Sequence, residues 1–587
     1  MNFCQQLQEI LLPHLPTADI IHTDDVPIEV LSKWNDEVED LLFASPEEQK
    51  RRLNEHGDEA KTPDDGQEEV QKENIDKLVL SLRDGIVFRL LALLNLSSND
   101  NNASMEDKLK LLADRINTEN DIDNQELAGI DQDNKCWAEL EYLFRTSSNF
   151  LRWYLQIYLQ YKPLIYPMSS SPFQSSSMLS IILSLLEFNS KNDTQNNNGQ
   201  PTDQSHQLLP PSQRFARYAS LLLFYATFSP LSPNDETMQS THELLVNELH
   251  FLPRALKLLT YLPNTSAALA LSLIRNVHNL LASFSGSLSV VQQTGFPFDG
   301  EMAKAPWSPK PDDNTDGLIT YPSIFRDVLI WSLTTPTLPP FPGPKDDRRP
   351  DLVVEILGII FAMGGGEVTR ALRHPCPNPA LSQLVITSLQ QFDSNDPRTY
   401  QVKLSTITIL TDASPSFGTF LVEKNAVKDL MEILEKQMDA VLDATQVDDA
   451  AVSALVPSLA VLYKLSAGNP TFREVTKHSI FPPSQEDLFW RLAQAQLGQR
   501  GTQQIATNNG QNSVVPAATN MQALDAPRGT LRYKLIRLMT WTESHIKRYS
   551  CELLWALCEE DPKEFVLRTG MGNAIAFLRN RPMDRIG

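Results

Sequence analysis

Clustered glycines, a close His/Cys pair and runs of Asp are the residues in this chain whose types and spacing could do chemistry. The glycines of TGMGNA, which begins at Thr569, and Gly364 to Gly366 would cradle a phosphate only after a strand and ahead of a Lys-Ser/Thr pair. Both groups follow apolar stretches of helical period instead. Gly570 therefore reads as a helix C-cap with positive φ. His374 and Cys376 stand two apart in the Pro-rich RHPCPNP with no second pair nearby, too few ligands for a metal. The segment around Asp121 and Asp123 lacks the Gly and closing Glu of a calcium loop. Neither Gly-x-Ser-x-Gly nor His-Glu-x-x-His occurs. Hydrolytic, metal and cofactor chemistry thus have no footing in the sequence. The cysteines Cys4, Cys136, Cys376, Cys551 and Cys558 are odd in number, scattered and free of C-x-x-C spacing. Cys551 and Cys558, seven apart on one apolar helix face, suit buried thiols.

With chemistry set aside, the elements themselves carry the information. The chain has 587 residues, 41% of them hydrophobic, which fits a folded protein with polar insertions. Lys and Arg number 51 against 73 Asp and Glu, a net charge of −22. Nucleic-acid binding needs clustered cations on phosphates, so this balance argues against it. The N-terminus MNFCQQLQEILLPHL has no basic start and no long apolar core, so no signal peptide is expected. No run of about 18 apolar residues predicts a membrane span.

Leu-rich segments of helical period recur from Leu80 onward, and alternating strand patterns are nearly absent. Residues 47–73 are acidic and polar. The expected organisation is an N-terminal helical segment with an acidic linker over 1–73 and one helical repeat domain over 74–587. Polar or Pro-rich loops are expected near 97–104, 169–212, 298–350 and 500–528. Three stretches share a form: an apolar helix, a Pro turn (Pro415, Pro470, Pro562), a second short helix with a Phe just after the Pro, and a break at Asn425, Ser479 or Gly570. The segment 269–295 has the same form without the Pro. Such units cannot bury their apolar faces alone, and stacking them creates a concave groove. The fold class expected is all-α, an armadillo/HEAT-like superhelical repeat array. At its end, Leu531, Leu535, Leu538 and Met539 form an apolar stripe with Arg532, Lys534 and Arg537 turned outward. A helix from Ser544 to Cys558 buries Ile546, Leu553, Leu554 and Leu557, and Asp561-Pro562 starts another.

The words KLIRLMT, KRYSCELLWALC and TGMGNA, preceded in order by SFGTFLVEKNAVKDLMEIL and NPTFREVTKHSIFPP, resemble the C-terminal part of the armadillo-like core of the synembryn family. The resemblance implies a chaperone and guanine-nucleotide exchange factor that holds the C-terminal helix of a heterotrimeric G-protein alpha subunit and does no covalent chemistry. It also implies that Asn279, in RNVHNLLAS, lines the groove, as an Asn does in armadillo repeats. A side-chain amide both donates and accepts, so it can hold a peptide backbone. The residues alone equally allow Asn279 to satisfy a neighbouring helix carbonyl. Arg275, one turn earlier, would pair with a carboxylate of the bound tail or stand solvated. Arg537, Lys547, Arg548 and Glu552 match the family's C-terminal words and are implied as partner-binding, against an alternative of a solvated or internally paired face. The helix RFARYASLLLFYATFSP departs from the family, which places basic residues near that helix end. A cytoplasmic location is expected, also at the inner face of the plasma membrane through the G protein. The competing expectation is an armadillo-type interaction scaffold without exchange activity.

Overall fold

The structure, a computed structural model, describes residues 134–153, 172–186, 211–227, 236–261, 267–299, 305–311, 317–334, 348–362, 379–443, 449–482 and 529–581, apart from single positions, with short pieces within 33–38 and 80–90. The stretches 47–73, 97–104, 190–210, 335–347 and 500–528 lie outside the described residues, as do Asp121, Asp123, Gly364 to Gly366, His374 and Cys376. The chain divides into two compact units, one comprising Met1–Trp331 and Thr335–Glu355, the other Ser332–Thr334 and Ile356–Gly587.

The first unit contains α1 (Asn134–Trp153), α2 (Pro211–Thr227), α3 (Glu236–Glu243) running into a π turn, α4 (Phe251–Tyr261), α5 (Ala267–Ser283) and α6 (Gly286–Gln293). A two-stranded ribbon of β1 (Gly295–Pro297) and β2 (Leu318–Thr320) follows, then α7 (Tyr321–Thr334) and the start of α8 (Arg349–Ala362). Helix α2 lies between α1 and α5. Near the chain start, Asn35 donates to Thr146 Oγ1 at 3.0 Å and accepts from Asn149 at 2.8 Å, so this early piece packs on α1.

Two expectations about loops need correction. The Ser-rich stretch 169–177 contains a 3₁₀ turn at Pro172–Gln174 whose Phe173 is fully buried against α2. One large apolar side chain is enough to anchor an otherwise polar segment. Helix α2 also begins at Pro211, inside the stretch read as polar loop, because Pro suits a first helical turn. The Pro-rich stretch 298–317 is not simply extended. It is closed by the antiparallel ribbon, with Phe296 opposite Ile319. Trp307 within it is buried, donates from Nε1 to Leu259 O at 3.0 Å and stacks edge-on against Trp331. Burial raises the Asp327 carboxyl above its ordinary value despite Arg326 beside it, and Asp327 accepts the Lys310 N–H at 2.8 Å.

The second unit runs α9 (Pro379–Gln390), α10 (Pro397–Leu410), α11 (Phe417–Glu423), α12 (Val427–Leu442), α13 (Asp449–Gly468), α14 (Pro470–Ile480), α15 (Leu531–Leu538), α16 (Ser544–Leu557), α17 (Pro562–Thr569) and α18 (Met571–Arg579). The repeated form read in the sequence is present three times: α10–α11, α13–α14 and α16–α17. Asn469 and Asp561 cap α14 and α17 by accepting the N–H of Phe472 and Lys563, and the Pro behind each takes the first turn. Phe417, Phe472 and Phe565, each two or three residues past its Pro, are fully buried. The breaks fall at Asn425 and Gly570, with φ of 56° and 90°, and at Phe481 rather than Ser479. Helix α13 is apolar all round because it is central, packing on α10, α12, α14 and α16. It is the one described helix long and apolar enough to cross a membrane by length and composition.

The first two units interlock at their Pro turns. Asn469 donates to Pro415 O at 3.0 Å and to Thr419 Oγ1 at 2.9 Å. A Cβ added to Gly468 would lie 2.5 Å from the Pro415 ring, which cannot swing away. Gly468→Ala is therefore expected to cost about 1–3 kcal/mol by overpacking, read as a lowered urea midpoint. An unchanged midpoint would mean that the two turns do not touch.

The largest departure concerns α15. Arg532 and Lys534 were expected to turn outward, yet both are buried. Arg532 donates from Nε and Nη2 to Arg568 O at 3.1 and 2.7 Å. Lys534 passes its ammonium to Glu435 and Asp439, one turn apart on α12, at 2.9 and 2.6 Å. Burial pulls the Lys534 pKa down, but these two carboxylates outweigh it and hold the group above its ordinary value. The reason is that α15 has neighbours on more than one side, α12, α14 and α16, so the face opposite its apolar stripe is not solvent.

Candidate functional site

Two places gather the residues singled out in the sequence. The first is α5. Its buried amide is Asn276, which donates to Ser220 O at 3.0 Å, Ser220 Oγ at 3.3 Å and Ser272 O at 2.9 Å, and so ties α5 to α2. Asn276, three residues before Asn279, thus satisfies neighbouring helix carbonyls. Asn279 is half-buried, and its carbonyl accepts from Ser283 Oγ at 2.7 Å. Arg275 shares the Asn279 face one turn away, as read. Its guanidinium does not stand solvated: Nε meets Glu355 Oε1 at 2.9 Å, and His278 Nδ1 meets Glu355 Oε2 at 2.8 Å. Burial would raise the Glu355 carboxyl, but the hydrogen bonds and charge of His278 and Arg275 outweigh it and hold it below its ordinary value. No periodic signal links Arg275 to a carboxylate 80 residues later, so sequence reading could not find this brace.

The second place is the helix hairpin α15–α16. Thr530 and Glu543 cap the two helices by accepting the N–H of Tyr533 at 3.2 Å and Ile546 at 2.8 Å. Ile546, Leu553, Leu554 and Leu557 are buried, as their spacing predicts, and so are Cys551 and Cys558. Burial pushes those thiols up to about 11 and about 12, so neither is a poised nucleophile. Burying that stripe leaves Arg537, Lys547 and Arg548 exposed. Arg537 lies over the Tyr533 ring at 6.0 Å and Arg548 over Tyr549 at 5.7 Å. Glu552 differs from them, because it is ion-paired with Arg581. Arg581 in turn covers Trp555 and Phe577, 5.2 and 4.6 Å from the ring centroids. Three exposed cations remain on one hairpin of a strongly acidic chain, beside half-buried tyrosines. That arrangement can recognise carboxylates or phosphates. Among the described residues no group of His, Cys, Asp and Glu is placed to hold a metal ion.

Comparison with known proteins bears on the second place. Residues 509–584 match the family model described as guanine nucleotide exchange factor synembryn. Chaperone Ric-8A of Danio rerio is 36% identical over 76 residues, 13% of this chain and 14% of that protein. Chaperone Ric-8A of Xenopus laevis is 38% identical over 68 residues, 12% of this chain and 13% of the relative. Its Mus musculus counterpart is 37% identical over 68 residues, again 12% and 13%. The aligned stretch thus spans about a seventh of the curated relatives' length. A solved engineered protein covers 95% of this chain and 99% of its own at 12% identity, but its TM-score of 0.36 is too low to bear on the fold. Arg275 and Asn279 lie outside the matched stretch, whereas Arg537, Lys547, Arg548 and Glu552 lie within it. Residues 509–584 of this chain thus match the synembryn family, within a chain whose described residues are almost entirely helical.

Proposed function

We propose that this chain is a chaperone and guanine-nucleotide exchange factor for heterotrimeric G-protein alpha subunits. The observation that carries the reading is the synembryn match over residues 509–584, the stretch whose hairpin exposes Arg537, Lys547 and Arg548. The chain would bind the subunit's C-terminal helix and favour its open, nucleotide-free state. Exchange then follows from differential affinity for two states, with no covalent step. Asn279 and Arg275 would line the groove, and Glu552 would contribute after leaving Arg581. The reaction would take place in the cytoplasm, at the inner face of the plasma membrane where the subunit resides.

The test is a titration of a purified G-alpha subunit from the same organism, with and without nucleotide. Binding is expected to be tightest without nucleotide and to be competed by the subunit's C-terminal peptide. Lys547→Glu with Arg548→Glu should weaken it by about 1–3 kcal/mol, the size of lost hydrogen bonds to charged groups. Both side chains are exposed, so the thermal midpoint should hold. Arg275→Glu is a poorer probe, because it sets a second carboxylate against Glu355. Unchanged affinity in the double variant would move the site off this hairpin. Absence of any binding by the wild type would leave an armadillo-type scaffold, a reading favoured by the brace that already occupies Arg275.

A further inference from the structure

Helix α18 is apolar on two faces. Its inner face is accounted for: Ala574 is buried, and Phe577 packs on Trp555 and Phe565 at 5.9 and 5.4 Å between ring centroids. Its outer face carries Met571 and Ile575, 61% and 57% exposed, the two most exposed large apolar side chains among the described residues. They stand four apart and so lie side by side on the helix surface. Gly572 and Ala576 next to them are exposed and small, and a Cβ on Gly572 would meet nothing within 4 Å, which leaves the face open to close approach. The outward residues of α12 are charged (Lys428, Glu432, Lys436), and α16 opens with exposed Lys547 and Arg548. A helix that is apolar all round is normally covered.

We propose that the outer face of α18 docks an amphipathic helix of a partner protein, with an apolar stripe against Met571 and Ile575 and acidic residues beside Arg579. Charge selects this occupant. No Asp or Glu occurs from Met571 to Arg581, and the exposed Arg579 continues the Met571–Ile575 line by another turn, in a chain whose net charge is −22. A second copy of the chain would bring two strongly acidic molecules together against their mutual repulsion. A ridge of two apolar side chains flanked by small residues suits the groove of a helix. This inference uses none of the side chains offered above for G-alpha binding.

The experiment uses the full chain and two labelled synthetic helical peptides with leucines at i, i+3, i+4 and i+7, one flanked by glutamates and one by lysines, followed by fluorescence anisotropy. The glutamate peptide should bind better. Ile575→Asp and Met571→Asp should each weaken it by about tenfold or more, as loss of a central apolar anchor does, with no change in thermal midpoint. Arg579→Glu should reverse the preference between peptides. Equal binding of both peptides, equal affinity of wild type and Ile575→Asp, or no binding at all would overturn the proposal. A concentration-dependent dimer that Ile575→Asp dissociates would also overturn it, since the face would then belong to a second copy.

Discussion

Trp555→Ala is expected to lower the stability of the second unit by about 3–5 kcal/mol, the range for removing a large aromatic from a packed core. Trp555 is 6% exposed. Its ring meets Phe565 of α17 edge-on at 5.4 Å and Phe577 of α18 at 5.9 Å, and Arg581 lies over it. One side chain therefore holds three consecutive helices, and the gap left by alanine has rigid aromatic walls that cannot collapse. Urea unfolding followed by far-ultraviolet circular dichroism measures the effect. Trp555→Phe, which keeps an aromatic ring in the cluster, should lose much less. A Trp555→Ala shift worth under about 1 kcal/mol would place the residue on the surface instead.

Arg568→Leu should cost about 3 kcal/mol, at the low end for removing one partner of a buried ion pair. Arg568 is 3% exposed; its Nε donates to Glu564 Oε1 at 2.8 Å, and its guanidinium lies 4.3 Å from the Phe481 ring centroid. The loss leaves Glu564 short of a partner, although Lys477 stays 3.4 Å away and moderates the penalty. Adding Glu564→Gln to Arg568→Leu should recover part of it, because the stranded charge is removed as well. If the double variant is as unstable as the sum of the singles, the two residues do not act as a pair. The backbone carbonyl of Arg568, which accepts from Arg532, is untouched by either change.

The binding proposed for this hairpin would use what those contacts leave over. Lys534, Arg532 and Arg568 are consumed in holding α12, α14, α15 and α17 together, whereas Arg537, Lys547 and Arg548 are not buried. Only exposed cations can recognise a partner without unfolding the protein. The sequence words that resemble synembryn contain both kinds, and no feature of the words alone separates them.

The sequence by itself determined the helical class, the three Pro-turn units, the helix start at Asp561-Pro562, the positive-φ break at Gly570 and the buried stripe of α16. All of these are local: they follow from 3.6-residue periodicity, a missing Pro N–H, a short side chain that accepts a backbone N–H, or the lack of a Cβ. Tertiary structure alone decided which polar faces are solvated. Lys534 meets Glu435 across 99 residues, Arg275 meets Glu355 across 80, and Trp307 finds Leu259 O across 48. Periodicity assigns a helix one buried face and says nothing of a second. Whether the opposite face meets water, a carboxylate or another helix depends on which distant segment packs there, and that choice is made by the whole core at once.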